Sequence, residues 1–125
     1  MDAEELKQRT KIFGLKIIRL VESLPSTKAT HVIGNQVIRS GTSVGANYRA
    51  ACRGRSKAEF IAKMGIVIEE ADESMYWMEM LIEAGIVSQD DMAELLSEAD
   101  ELVAIITASV KTCLLYTSPS PRDRS

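Results

Sequence analysis

Core-type positions near the start of the chain, Leu6, Thr10, Phe13, Ile17, Leu20 and Leu24, recur at alternating steps of four and three. A helix turns about 100° per residue, so this spacing gathers them into one stripe that faces another helix. The first helix is expected to end near Ser23, because Pro25 interrupts helical hydrogen bonding. Ser26 or Thr27 then caps a second helix, expected over about 28–53. Its most distinctive stretch is 36–47, QVIRSGTSVGAN. Gln36, Ser40, Ser43 and Asn47 fall in one narrow sector of that helix, beside an apolar stripe of Ile33, Val37, Val44, Tyr48 and Ala51. A polar seam bordering a core must find hydrogen-bond partners wherever it is buried.

Arg53, Gly54 and Arg55 make a natural turn, and Ser56 with Glu59 forms the S-x-x-E capping box that opens a third helix. Phe60, Met64, Val67, Ala71, Ser74, Met78 and Leu81 step by four and three along it. Ile61, Ile68, Met75 and Ile82 form a second stripe, which Ile66, Trp77 and Met80 extend. Two stripes on one helix imply two partners to cover them. Ala84 and Gly85 end this helix. Ser88 caps a fourth, with Asp90 and Asp91 in its first turn and one face of Met92, Leu95, Leu96, Ala99, Leu102, Val103, Ile106 and Val110.

Short connections between long helices make neighbours antiparallel, so the expected fold is all-α: an antiparallel up-down-up-down four-helix bundle over residues 1–113. Residues 114–125, LLYTSPSPRDRS, lack helical periodicity and resemble a vector- or adaptor-derived ending. They are expected to be a non-native or disordered tail, with the native fourth helix cut short. Folding the second and third helices about Gly54 brings Arg39 level with Glu70 and Gln36 level with Glu73, so Arg39 is expected to pair with Glu69, Glu70 or Glu73. Gly41 and Gly45, one turn apart near Ile38, each cost about 1 kcal/mol against Ala in a helix interior. That cost suggests a close approach by another backbone. Ile38, Gly41 and Gly45, with Ile61, Ile68, Met75 and Trp77, are therefore candidate contacts between copies of the chain.

Composition narrows the class. The chain is 46% hydrophobic but only 5% aromatic, as expected for packed helices in one domain. The N-terminus carries Asp2, Glu4 and Glu5 where a secretory signal would be basic. No apolar run reaches the ~18 to 20 residues of a membrane span, so a cytoplasmic protein with no membrane partner is expected. Cys52 and Cys113 are too few and too far apart for a disulfide framework or a metal cluster.

The net charge of -3 hides a division. No acid occurs between Ser23 and Ala58, where Lys28, Arg39, Arg49, Arg53, Arg55 and Lys57 are basic; from Glu59 to Val110 the sole base is Lys63, amid many acids. Either the halves neutralise one another across helix contacts, or the basic end meets an anionic partner.

No catalytic constellation is present. His31 is the only histidine, so a Ser-His-Asp, Cys-His or multi-histidine site lacks its parts. Ser40 and Ser43 have no base to activate them. The Glu-x-x-His motifs of di-iron bundles are missing, so Glu69, Glu70 and Glu73 are not expected to hold a metal. No cofactor is implied. Met75, Met78 and Met80 around Tyr76 and Trp77 fit core and interface packing on a helix apolar on several sides.

The segments Q-x-x-R-S-G-T-S-V-G-A-N-Y-R-A-A from Gln36, S-K-A-E-F from Ser56 and E-E-A-D-E-S-M-Y-W-M-E-M-L from Glu69 together resemble the four-helix-bundle family named for proteins encoded in intervening sequences of 23S ribosomal RNA genes. The resemblance spans roughly Leu6 to Val110. That family is similar in fold to the accessory protein of diversity-generating retroelements, a bundle that binds nucleic acid and reverse transcriptase. The resemblance implies a small bacterial homo-oligomer, a pentameric ring, with no established enzymatic activity.

Arg49, Arg53, Arg55 and Lys57 form the candidate nucleic-acid-binding cluster, which a ring would repeat around its axis. The chain as a whole is acidic and lacks interleaved exposed aromatics for base stacking. Binding to RNA or DNA is therefore expected to be weak, backbone-directed and salt-sensitive. The competing expectation is a protein-interaction scaffold that captures an unidentified protein without nucleic acid.

Overall fold

The computed structural model describes residues 1–116, which form α1 (Ala3–Glu22), α2 (Lys28–Cys52), α3 (Lys57–Glu83) and α4 (Gln89–Tyr116). Local chemistry fixes each boundary. The Asp2 carboxylate accepts from the Glu5 N–H at 2.8 Å, Thr27 and Thr30 form a reciprocal capping box, and Ser88 accepts from the Asp91 N–H. At α3, Ser56 accepts from the Glu59 N–H, while the Glu59 carboxylate accepts from Arg55 N–H at 3.4 Å, one residue upstream of the usual box position. Gly85 takes the left-handed conformation at φ 74°, and the Ile86 N–H then donates back to the Leu81 carbonyl at 3.0 Å. This closes the end of α3 as left-handed caps do.

α2 packs on α1 and α3, α3 also packs on α4, and α4 meets α1 more sparingly to complete an all-α four-helix bundle. Among the described residues there is no strand, and no helix is long and apolar enough to cross a membrane. The central core comprises Leu6, Phe13 and Ile17 from α1, Val37, Val44, Tyr48 and Ala51 from α2, Met64, Val67, Ala71, Met78 and Leu81 from α3, and Met92, Leu95, Ala99, Leu102 and Ile106 from α4. Burial pushes the Tyr48 phenol up, and its contact with Cys52 adds to the effect. α4 runs three residues past the boundary expected at Cys113, with Leu114 and Leu115 exposed on its last turn. The rest of the expected tail, 117–125, lies outside the described residues.

The close approach that Gly41 and Gly45 permit is made by α1 of the same chain. A Cβ on Gly41 would stand 2.9 Å from Ile17 Cγ1 and 3.0 Å from Cγ2, and one on Gly45 would stand 3.3 Å from the Thr10 carbonyl. Gly14 returns the favour from α1, where a Cβ would lie 3.5 Å from the Thr42 Cα. This corrects the assignment of Gly41 and Gly45 to a close approach between copies, because the approach is made within the chain, with Gly41 buried under Ile17 and half-buried Gly45 packed on Thr10. Of the second stripe on α3, Ile68, Met75 and Ile82 are half-buried against the core, as are Ile38 and Trp77, whereas Ile61 is half-buried outside that cluster.

The α1–α4 closure is largely ionic. The Arg9 guanidinium donates from Nε and Nη2 to the two Glu98 oxygens at 2.7 and 2.8 Å, and Nη2 also lies 2.8 Å from Glu101. Lys16 reaches Glu94 at 2.8 Å. The Arg9 fork holds the Glu98 carboxyl below its ordinary value, against an opposing contribution from burial.

Two outcomes follow from this packing. Overpacking costs about 1 to 3 kcal/mol and outweighs a helix-propensity gain of about 1 kcal/mol, so Gly41→Ala should lower the urea midpoint. Gly65→Ala, where a Cβ would meet nothing within 4 Å, should raise it. The lowered Glu98 value contributes stability that is complete above the unfolded carboxyl's 4.5 and is lost as pH falls through the folded value. Glu98→Gln should therefore cost about 1 kcal/mol at neutral pH and flatten the acid limb of a plot of urea midpoint against pH.

Candidate nucleic-acid interface

The polar seam of α2 is satisfied mostly by its own helix. Ser40, Ser43 and Asn47 donate to the carbonyls of Gln36, Arg39 and Ser43 at 2.9, 2.6 and 2.9 Å. Such bonds to the preceding turn are a standard outlet for short polar side chains in helices. Only Ser40 is fully buried, and it accepts from Ser74 of α3 at 3.1 Å inside the core. The other crossing is ionic. Arg39 Nη1 lies 3.2 Å from Glu70, and Nη2 contacts Glu73. Half-buried Gln36 accepts a long bond of 3.4 Å from Arg39 Nε, and exposed Glu69 stands outside the pair. Glu73 also accepts from the Trp77 indole N–H at 3.1 Å, and Tyr76 meets the Trp77 ring edge to face. The seam thus sets the register of α2 on α3, with no buried side-chain polar atom left unpaired among the described residues.

The basic cluster occupies the end of the bundle where α2 stops and α3 starts. Arg49 is in the last turn of α2 and Arg53 caps it, where a helix C-terminus favours cations. Arg55 lies in the turn and Lys57 opens α3. Gly54 lets this turn stay tight, since a Cβ there would lie 3.0 Å from the Ala51 carbonyl. Arg49, Arg53 and Arg55 are exposed and make no ion pair among the described residues.

Two further cations join them from α1. A groove of about 490 Å³ between α1 and α2 is walled by Lys7 and Lys11 on one side and Arg49 and Arg53 on the other, with Gly14, Thr42, Gly45 and Ala46 beneath, Glu4 near one end and the apolar side chains of Leu15 and Ile18 also lining it. His31 stands away on the surface, 3.1 Å from the Ser26 hydroxyl, and Cys52 and Cys113 are not joined in a disulfide. Among the described residues no three His, Cys, Asp or Glu side chains gather as a metal site.

Residues 4–108 match the family model for the 23S rRNA-intervening sequence protein. The chain belongs to that family. A crystal structure of a protein of unknown function from the S23 ribosomal protein family of Bacteroides thetaiotaomicron is similar to it, at 31% identity and a TM-score of 0.84, covering 90% of this chain and 100% of that one. No curated protein matches.

In this member of the 23S rRNA-intervening sequence protein family, acids and bases alternate at the start of α1, with Asp2, Glu4 and Glu5 against Lys7, Arg9 and Lys11, so Lys7 and Lys11 do not stand out in the sequence as the acid-free segment from Ser23 to Ala58 does. Their i, i+4 spacing was the available signal, but it gains meaning only from the α1–α2 register. The Arg39 pair gives a direct test. Arg39 is 48% exposed, so a double-mutant cycle of Arg39→Gln with Glu73→Gln should return a coupling below about 1 kcal/mol that shrinks as salt rises. Urea unfolding followed by the fluorescence of Trp77, the sole tryptophan, measures it.

Proposed function

We propose that the protein is a non-enzymatic, cytoplasmic homo-oligomer, a pentameric ring as its family resemblance implies, that holds nucleic acid weakly through the phosphate backbone. The observation that carries this reading is the set of exposed arginines Arg49, Arg53 and Arg55, which no carboxylate among the described residues neutralises. Arg9 is instead neutralised by Glu98 and Glu101, and Arg39 by Glu70 and Glu73, while exposed Arg19 stands alone on α1, away from the cluster. Uncompensated cations at one end of an acidic protein favour contact with a polyanion over general surface charge balance. The family's name associates it with 23S rRNA genes, which makes RNA the polymer to test first.

A second reading has its own support. Ile12, Leu15 and Ile18 on α1 and Tyr76 and Met80 on α3 are exposed apolar side chains, suited to contact between copies or with another protein. A scaffold without nucleic acid uses those faces, of which Leu15 and Ile18 border the groove that also holds Arg49 and Arg53.

Fluorescence anisotropy with a labelled structured RNA separates the two. Each phosphate contact on a double strand contributes about 0.9 to the slope of log affinity against log salt. Arg53→Gln with Arg55→Gln should therefore lower that slope by about 2 while light scattering shows an unchanged ring-sized mass. An oligomer that ignores RNA at low salt selects the scaffold, and a stable monomer removes the ring.

A further inference from the structure

We infer that the α1–α2 groove is the seat of the polynucleotide strand, with Lys7, Lys11, Arg49 and Arg53 forming a track for successive phosphates. This rests on the nucleic-acid reading above and assigns it a place and a ligand chemistry: the sugar-phosphate backbone of a single strand.

The helix register carries the argument. The position of a Cβ on Gly45 lies against Thr10 and the Lys11 nitrogen, and that of a Cβ on Gly14 lies against Thr42. α1 and α2 run antiparallel, so Lys11 is level with Gly45, Lys7 with Arg49, and Arg53 lies one turn further toward the bundle end. Four residues of helix rise about 6 Å, which is of the order of the spacing of successive phosphates along an extended strand. The cations therefore stand at three levels along one groove, in the order Lys11, then Lys7 beside Arg49, then Arg53.

Two features make the groove a channel. Its floor is Gly14, Thr42, Gly45 and Ala46, small side chains that leave depth between the cationic walls. Its cations are also almost uncompensated: Lys7 has a 3.9 Å contact with Glu4, and Lys11, Arg49 and Arg53 make no ion pair among the described residues. The walls offer point charges, with Leu15 and Ile18 as apolar surface and no aromatic ring for stacking, so they read the backbone and leave base sequence unread.

The test uses the full chain and a fluorescein-labelled oligouridylate, with anisotropy titrations from about 50 to 200 mM salt. The Lys7→Gln/Lys11→Gln variant is compared with Lys63→Gln, which alters the sole base between Glu59 and Val110. For a single strand each contact contributes about 0.7 to the salt slope, so the groove variant should lose about 1.4 of slope and Lys63→Gln nothing. Circular dichroism and the urea midpoint should be unchanged in both variants. If the wild-type chain binds but the groove variant binds equally well, the groove assignment falls while the nucleic-acid reading stands on Arg55 and Lys57. If the wild-type chain binds no RNA at low salt, that reading falls and takes the groove with it. A drop in solution mass of the groove variant, with RNA binding unchanged, would make the groove a contact between copies and overturn the assignment.

Discussion

The organisation of this bundle depends on how closely α1 and α2 approach. Gly14, Gly41 and Gly45 remove side chains where the two backbones meet, so that Ile17 seats directly on Gly41 and Thr10 lies over Gly45. Three glycines inside helices cost propensity, and the return is a fixed register in a tightly packed seam. That register carries Phe13 and Ile17 into the core and places Lys7 beside Arg49 at the surface. α4 has no comparable seam with α1, and there the bundle closes through Arg9, Glu98 and Glu101. Packing thus locates one wall of the molecule and charge locates the other.

The separation of charge along the sequence resolves into two different answers in space. Arg9 and Lys16 of α1 face acids of α4, and Arg39 of α2 faces Glu70 and Glu73 of α3, so part of the asymmetry is internal neutralisation. At the end of α2 no such ion pair forms among the described residues: the first turn of α3 supplies Glu59, whose carboxylate accepts from the Arg55 backbone, and Glu4 of α1 lines the groove without pairing to Arg49 or Arg53. Of the two explanations open at the level of sequence, the first holds in the middle of the bundle. At its end Arg49, Arg53 and Arg55 keep an unneutralised field.

The fold was legible because it is written locally. The steps of four and three mark Leu6, Thr10, Phe13 and Ile17 as buried, and do the same for Met64, Val67, Ala71, Ser74, Met78 and Leu81. The caps at Thr27, Ser56 and Ser88 and the stop at Gly85 were equally local. What local pattern cannot give is the identity of a distant partner. Gly41 and Gly45 announce a close approach without saying whether it comes from α1 or from another copy, and both satisfy the same spacing. Lys7 and Lys11 pose the same problem, since charges far apart in sequence share a groove only once register is known. The end of α4 lies past the expected boundary for another reason. Leu114 to Tyr116 have no periodicity of their own, but they follow a long helix whose propagation costs little once nucleated.

A well-satisfied interior also directs the search for function outward. Ser40, Ser74 and Thr10 each spend their hydroxyl inside the bundle, and the described core leaves no polar side-chain atom waiting for a ligand. On the proposed reading recognition falls to surface charge, and a handful of exposed cations would bind weakly at each copy. Weakness in one copy need not mean weakness in an assembly. In the proposed ring a flexible strand held at one groove would meet the next at a high effective concentration, and linked weak sites can gain about 10² to 10⁴ in avidity without a new contact. For a protein with so little chemistry in any single bundle, the spacing between copies would matter as much as the residues within one.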